Sequence, residues 1–128
     1  MCPTHSATRR LACTAACVVA AATLGGCSPA AVVGPRHPLR LVLTEYRMNP
    51  DVIRVSAGPL TIVVRNLGRL NHNLAVIQNQ QVQAETKPLA PGARTELVVD
   101  LVPGTYVMDS TLFSDRALGL YGTLIVVR

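Results

Sequence analysis

The chain has 128 residues, enough for one domain, and it is 49% apolar but only 3% aromatic. Its core must be built from Val, Leu and Ile, residues that favour strands. The formal charge of +5 is carried by scattered arginines, with Lys87 the only lysine; nucleic-acid binders gather basic charge on one face beside stacking aromatics, and neither signature is visible, which argues against a nucleic-acid partner.

Residues 1–27 read MCPTHSATRRLACTAACVVAAATLGGC. Arg9 and Arg10 supply a positive n-region, and Leu11 to Leu24 is an uncharged run with the length of a signal h-region. It is shorter than the roughly 20 apolar residues that a membrane-spanning helix needs. The end, Leu24-Gly25-Gly26-Cys27, resembles the lipobox of bacterial lipoproteins, where the cysteine thiol is acylated before cleavage. The resemblance implies a signal peptide over 1–26. It also implies a lipidated Cys27 that holds the chain at the outer face of the cell membrane or in the periplasm. Several acyl chains on one residue anchor stably, since stable anchoring takes two or more signals. An ordinary secretory signal is the alternative, and Arg9-Arg10 leaves twin-arginine export open. Cys2, Cys13 and Cys17 would leave with the signal and Cys27 would become a thioether, so the mature chain has no free thiol and no disulfide. From Cys27 onward ten basic and seven acidic side chains leave a net charge of three positive.

Residues 27–38, CSPAAVVGPRHP, read as a flexible tether, with His37 solvated in it. From Leu39 onward the hydrophobic period is two. LRLVLTEY puts Leu39, Leu41 and Leu43 on one face, and DVIRVSAG ends at the turn signal Gly58-Pro59. LTIVVRN places Leu60, Ile62 and Val64 inside and Thr61, Val63 and Arg65 outside. NLAVIQ follows a polar loop, RTELVVDL follows Pro91-Gly92, TYVMDS follows Pro103-Gly104, and YGTLIVVR closes the chain with apolar residues on both faces. These are about seven strands and no helical period, which suits an all-β antiparallel sandwich or small barrel over 39–128.

The order NPDVIRVSAG, LTIVVRNLGRLNHNLAV, LAPGARTELVVDLVPGTY, GLYGTLIVV resembles the cupredoxins, the blue-copper fold, over nearly the whole of 39–128. The resemblance implies a cupredoxin-like Greek-key β-sandwich. It also implies a first histidine ligand at His72, before Asn73, and a last loop carrying the remaining ligands. Without gaps, the family's Cys falls on Ser110, its His on Asp115 and its Met on Leu120, while Pro103, Gly104, Tyr106, Gly119 and Gly122 match the frame. A blue-copper centre needs two imidazoles and a thiolate with a weak axial thioether. Ser110, Asp115 and Leu120 do not supply these, so the expectation is a degenerate copper site.

His72 and Asp115 are the remaining metal candidates. Asn73, Ser110 and Thr111 are the expected loop scaffold, since in the family the Asn after the histidine bonds the residue after the cysteine. Met48 and Met108 are read as packing residues, Asp109 as pointing to solvent, and Asp115 as pairing with Arg116. No Ser-His-Asp arrangement with an oxyanion device is legible, so no catalytic residue is expected. The loop 111–121, with Leu112, Phe113, Leu118 and Leu120, is apolar, and together with the 66–73 loop it suits contact with a membrane or envelope protein or a small ligand. The first expectation is a binding or structural module with no cofactor. A copper-handling protein using a non-blue site at His72 is the alternative, and electron transfer comes behind it.

Overall fold

Val32 and Val33 are β-branched, and in the computed structural model, which describes residues 30–34 and 36–128, they belong to a short strand (β1, Ala31–Val33). This shortens the expected tether of 27–38, because β1 is paired along its length, in parallel, with a strand of the domain (β4, Val52–Ser56). The expected signal segment 1–26 and Cys27 lie outside the described residues. No helix among the described residues is long and apolar enough to cross a membrane.

The remaining elements in chain order are β2 (Leu39–Thr44), β3 (Arg47–Asn49), β5 (Gly58–Asn66) after β4, β6 (Ala75–Gln78), β7 (Gln81–Glu85), β8 (Arg94–Leu101), β9 (Gly104–Asp109), a single helical turn α1 (Asp115–Leu118) and β10 (Tyr121–Val127). They form two sheets, β1-β4-β10-β9-β6-β7 and β3-β2-β5-β8, packed as an all-β sandwich. The sheets are mixed rather than antiparallel: β4 runs parallel to both β1 and β10, and β2 runs parallel to β5. Among the described residues, ten strands replace the expected seven. The additional ones, β1, β3 and β7, are too short or too polar to show an alternating apolar face.

Alternation sets the core. Leu39, Leu41 and Leu43 of β2, Ile62 and Val64 of β5, Met108 of β9 and Leu124 of β10 are all buried between the sheets. Burying each such side chain contributes roughly 1.5–3 kcal/mol, so an aliphatic core holds the fold without a disulfide. Met48 and Met108 are packed in it. Val63 departs from the expected pattern: it points away from the core yet is buried, on a face described below. Tyr106 is the one fully buried aromatic, and its hydroxyl donates to the Val102 carbonyl at 3.0 Å, closing the Pro103-Gly104 turn.

The strand directions bring five chain segments to one end of the sandwich. β2, β5 and β9 finish there, and β6 and β10 begin there. The loops that follow β2 and β5 and precede β6 and β10 therefore meet.

Candidate functional site

At this end Glu45, His72, Asn73, Ser110 and Asp115 form one hydrogen-bonded cluster. His72 is completely buried and held by a two-way backbone bridge to Leu89, with its N–H donating to Leu89 O at 3.2 Å and its carbonyl accepting from Leu89 N–H at 2.8 Å. Its Nδ1 lies 2.7 Å from Asp115 Oδ2 and its Nε2 lies 3.0 Å from Glu45 Oε1. The ring edge of Tyr46 packs against it with centroids 6.5 Å apart.

Both ring nitrogens thus face carboxylate oxygens. Each contact occupies the in-plane position at which that ring nitrogen would bind a metal. Neither nitrogen directs a lone pair at open space, which is what a metal ligand must do.

Glu45 is absent from the sequence-level candidates. Glu45 follows β2 with the parity of Leu39, Leu41 and Leu43; the residue stays exposed while its carboxylate reaches His72. Besides His72, its Oε1 accepts from the backbone N–H groups of Arg69 at 2.6 Å and Leu70 at 2.8 Å. The Leu70 N–H is the largest cause holding the Glu45 carboxyl below its ordinary 4.5, at about 2, with His72 and Arg69 adding to it against partial desolvation. Gly68 permits this approach, because a Cβ there would collide with the carboxylate. Asn66, also buried, shapes the same loop by donating to Leu70 O and Leu89 O at 2.7 and 2.8 Å.

Ser110 sits at the end of β9, inward in phase with Tyr106 and Met108, and its hydroxyl donates to Asp115 Oδ2 at 2.6 Å. Asn73 links the two loops: its Nδ2 donates to Thr111 Oγ1 and its Oδ1 accepts from Thr111 N–H, both at 2.8 Å. Asn73 and Thr111 also both donate to Glu85 Oε1 on β7, at 2.8 and 2.7 Å. The Ser110–Leu120 loop closes on itself through Leu120 N–H to Asp115 O at 2.9 Å.

Two expectations are corrected here. Asp115 does not pair with Arg116; it turns inward to His72 and Ser110, and Arg116 reaches Asp109 at 2.7 Å instead. Asp109 does point away from the core, on the face it shares with Tyr121, but it is buried rather than solvated. The helical turn α1 carries the Arg116 guanidinium over it.

The arrangement is not a nucleophile relay. Ser110 and His72 share one oxygen of Asp115, whereas a catalytic serine hands its proton to the histidine. Nor do these residues fit a copper ion. Residues 30–128 hold no cysteine, Leu120 offers no donor, and the carboxylates stand on opposite edges of the His72 ring. Among the described residues no three His, Cys, Asp or Glu side chains converge as a metal site.

Above the cluster, Tyr46, Arg69, Leu70, Asn71, Phe113, Ser114, Asp115 and Leu118 line an open depression of about 560 Å³. Leu70, Phe113 and Leu118 are exposed around it, with Phe113 at 96%. Leu112 is half-buried and Leu120 is fully buried, so the apolar surface is narrower on 111–121 than expected, while Leu70 contributes to it from the 66–73 loop.

No protein-family model and no curated protein matches the sequence. Solved structures do match the fold. A reduced auracyanin from Roseiflexus castenholzii shares 19% identity over 71% of this chain and 97% of its own, with a TM-score of 0.66. The "blue" copper protein auracyanin A from Chloroflexus aurantiacus shares 17% over 75% and 99%, at 0.62. An azurin from Methylomonas sp. strain J shares 12% over 78% and 100%, also at 0.62. With both sheets, the loop-end cluster and these likenesses in agreement, the chain has the cupredoxin fold.

Proposed function

We propose that this protein is an exported, lipid-anchored cupredoxin-fold module that works by recognition rather than by electron transfer or catalysis, and that its blue-copper ligand set has been replaced. The observation that carries the reading is the engagement of both His72 nitrogens by Asp115 and Glu45. The cluster at the former ligand positions spends its donors on joining loops: 45 to 70, 72 to 115, 73 to 111. The exposed rim of Leu70, Phe113 and Leu118 then serves as the docking surface for an envelope protein. Lipidation at Cys27 holds the module at the membrane.

Residues 30–128 include every strand of the sandwich and its core, so they suit titration without the preceding segment. Titrating them with Cu(II) and with Cu(I) should give no binding at micromolar protein and no blue absorption band. Stoichiometric binding that disappears in His72→Ala would overturn the reading in favour of copper handling. In cells, Cys27→Ala should move the protein out of the membrane fraction.

A further inference from the structure

Arginines distant in sequence meet on the outer face of the four-stranded sheet. Arg65 on β5 stands directly opposite Arg94 on β8 and opposite Val42 on β2, and Arg40 stands opposite Val63. Directly opposed residues share a face, so Arg40, Arg65 and Arg94 project from one surface with Val42 and Val63 between them. The same residues, with Leu41 and Gly92, line an open groove of about 440 Å³. Arg47 on β3, opposite Thr44, continues the face. All four arginines are exposed. The one ion pair made by any of them, among the described residues, is Arg94 with exposed Glu96 at 3.5 Å.

Like charges placed directly across a sheet repel. The Arg65–Arg94 pair is therefore a cost, offset among the described residues only by the exposed Arg94–Glu96 contact, with Glu96 on the same face opposite Val63. Guanidinium groups are planar forks that match phosphate oxygens, and here they surround an apolar floor.

We propose that this face binds the phosphate headgroups of an anionic membrane. The proposal rests on the anchored reading for proximity. Cys27 stands three residues before Ala30, which adjoins β1. Three extended residues span at most about 10 Å, comparable with the distance over which salt screens charge. A lipid on Cys27 thus keeps the β1 edge of the sandwich close to the bilayer, and the arginine face, on the other sheet, reaches it by rotation about that tether.

The test is sedimentation of residues 30–128, which lack Cys27, with vesicles of phosphatidylglycerol mixed with phosphatidylcholine and with vesicles of phosphatidylcholine alone. Binding is expected to the anionic vesicles only, weakening as salt rises. Arg65→Ala/Arg94→Ala should lower it roughly 25-fold, about fivefold for each arginine near an anionic surface. Arg54→Ala/Arg128→Ala removes the same charge elsewhere and should leave it nearly intact. Thermal unfolding verifies that each variant is folded, and Arg65→Gln and Arg94→Gln singly replace a double variant that is not. The proposal is overturned by absence of anionic-vesicle binding, by equal losses in the two double variants, by inorganic phosphate binding without vesicle binding, or by an oligonucleotide bound as tightly as the vesicles. None of these outcomes bears on copper, and the Cys27→Ala fractionation fails or succeeds separately.

Discussion

Charge is used in opposite ways at the loop end and on the outer face of β2, β5 and β8. At the loop end, each charged side chain has a partner within the fold: Asp115 and Glu45 flank His72, and Asp109 lies under Arg116. On the sheet face, Arg65 and Arg94 are exposed and face each other across two strands. Matched buried charge ties the chain to itself, and removing one partner leaves the other stranded in a low dielectric. Exposed charge with at most a surface partner adds little to the fold and is available to something outside it. If the contrast is real, substitutions in the first region should cost stability and those in the second should not.

The largest effect is expected for Asp115→Ala. The substitution strands the buried His72 Nδ1 and takes from Ser110 its shorter hydrogen bond, so the loss exceeds that of one stranded buried group, about 1–3 kcal/mol. A urea unfolding midpoint measures it. A cost no larger than that of an exposed substitution would break the contrast at once, because the cluster would then not be holding the loops. Asn73→Ala comes next. It removes the bonds to Thr111 and Glu85 and leaves the Ser110–Thr111 turn partly unsatisfied. One stranded buried group costs about 1–3 kcal/mol.

The contrast between the two regions also explains what was legible in the sequence. Strands whose apolar residues alternate, such as 39–44 and 60–66, could be read directly, because burial on one face imposes a period of two. The glycine and proline frame around 103–122 was legible for a similar local reason. Strand β7, QVQAE, carried no such pattern, and β3 and β1 were too short to show one. Glu45 is exposed and lies just past β2, so no burial pattern marks it; its role depends on the 67–71 loop folding back to place the Arg69 and Leu70 N–H groups on its carboxylate. The burial of Asp109 depended on where α1 would set Arg116. The arginine face required the register of β2, β5 and β8, which no local pattern contains; residues 40, 65 and 94 look scattered until they are paired.

Acid sharpens the distinction within the loop end. Glu45 titrates in the folded chain at about 2, below its ordinary 4.5, because Leu70 N–H, His72 and Arg69 N–H favour its ionised form. The unfolded chain therefore binds more protons in that interval, and stability rises with pH. The contribution is complete above about 4.5 and is lost as pH falls toward about 2. Glu45→Gln should lose less stability than the wild type across that window, as read from unfolding midpoints at a series of pH values. Parallel curves for the two proteins would mean that the 67–71 loop is not held by this carboxylate.

The smallest effect, and the one of opposite sign, is expected for Arg65→Ala. Exposed substitutions away from special features usually stay within about 0.5 kcal/mol, and this one relieves repulsion from Arg94 directly across the sheet. The thermal midpoint should be unchanged or slightly higher at low salt, and the difference should shrink as salt screens the pair. Val63, buried beside these arginines, sets the competing term, because loss of the Arg65 stem uncovers neighbouring apolar surface. A salt-independent fall in stability would mean that Arg65 acts through its stem, as part of the fold. A salt-dependent gain would mean that the fold tolerates the charge at a cost, which is the behaviour expected of a residue placed there for an external partner.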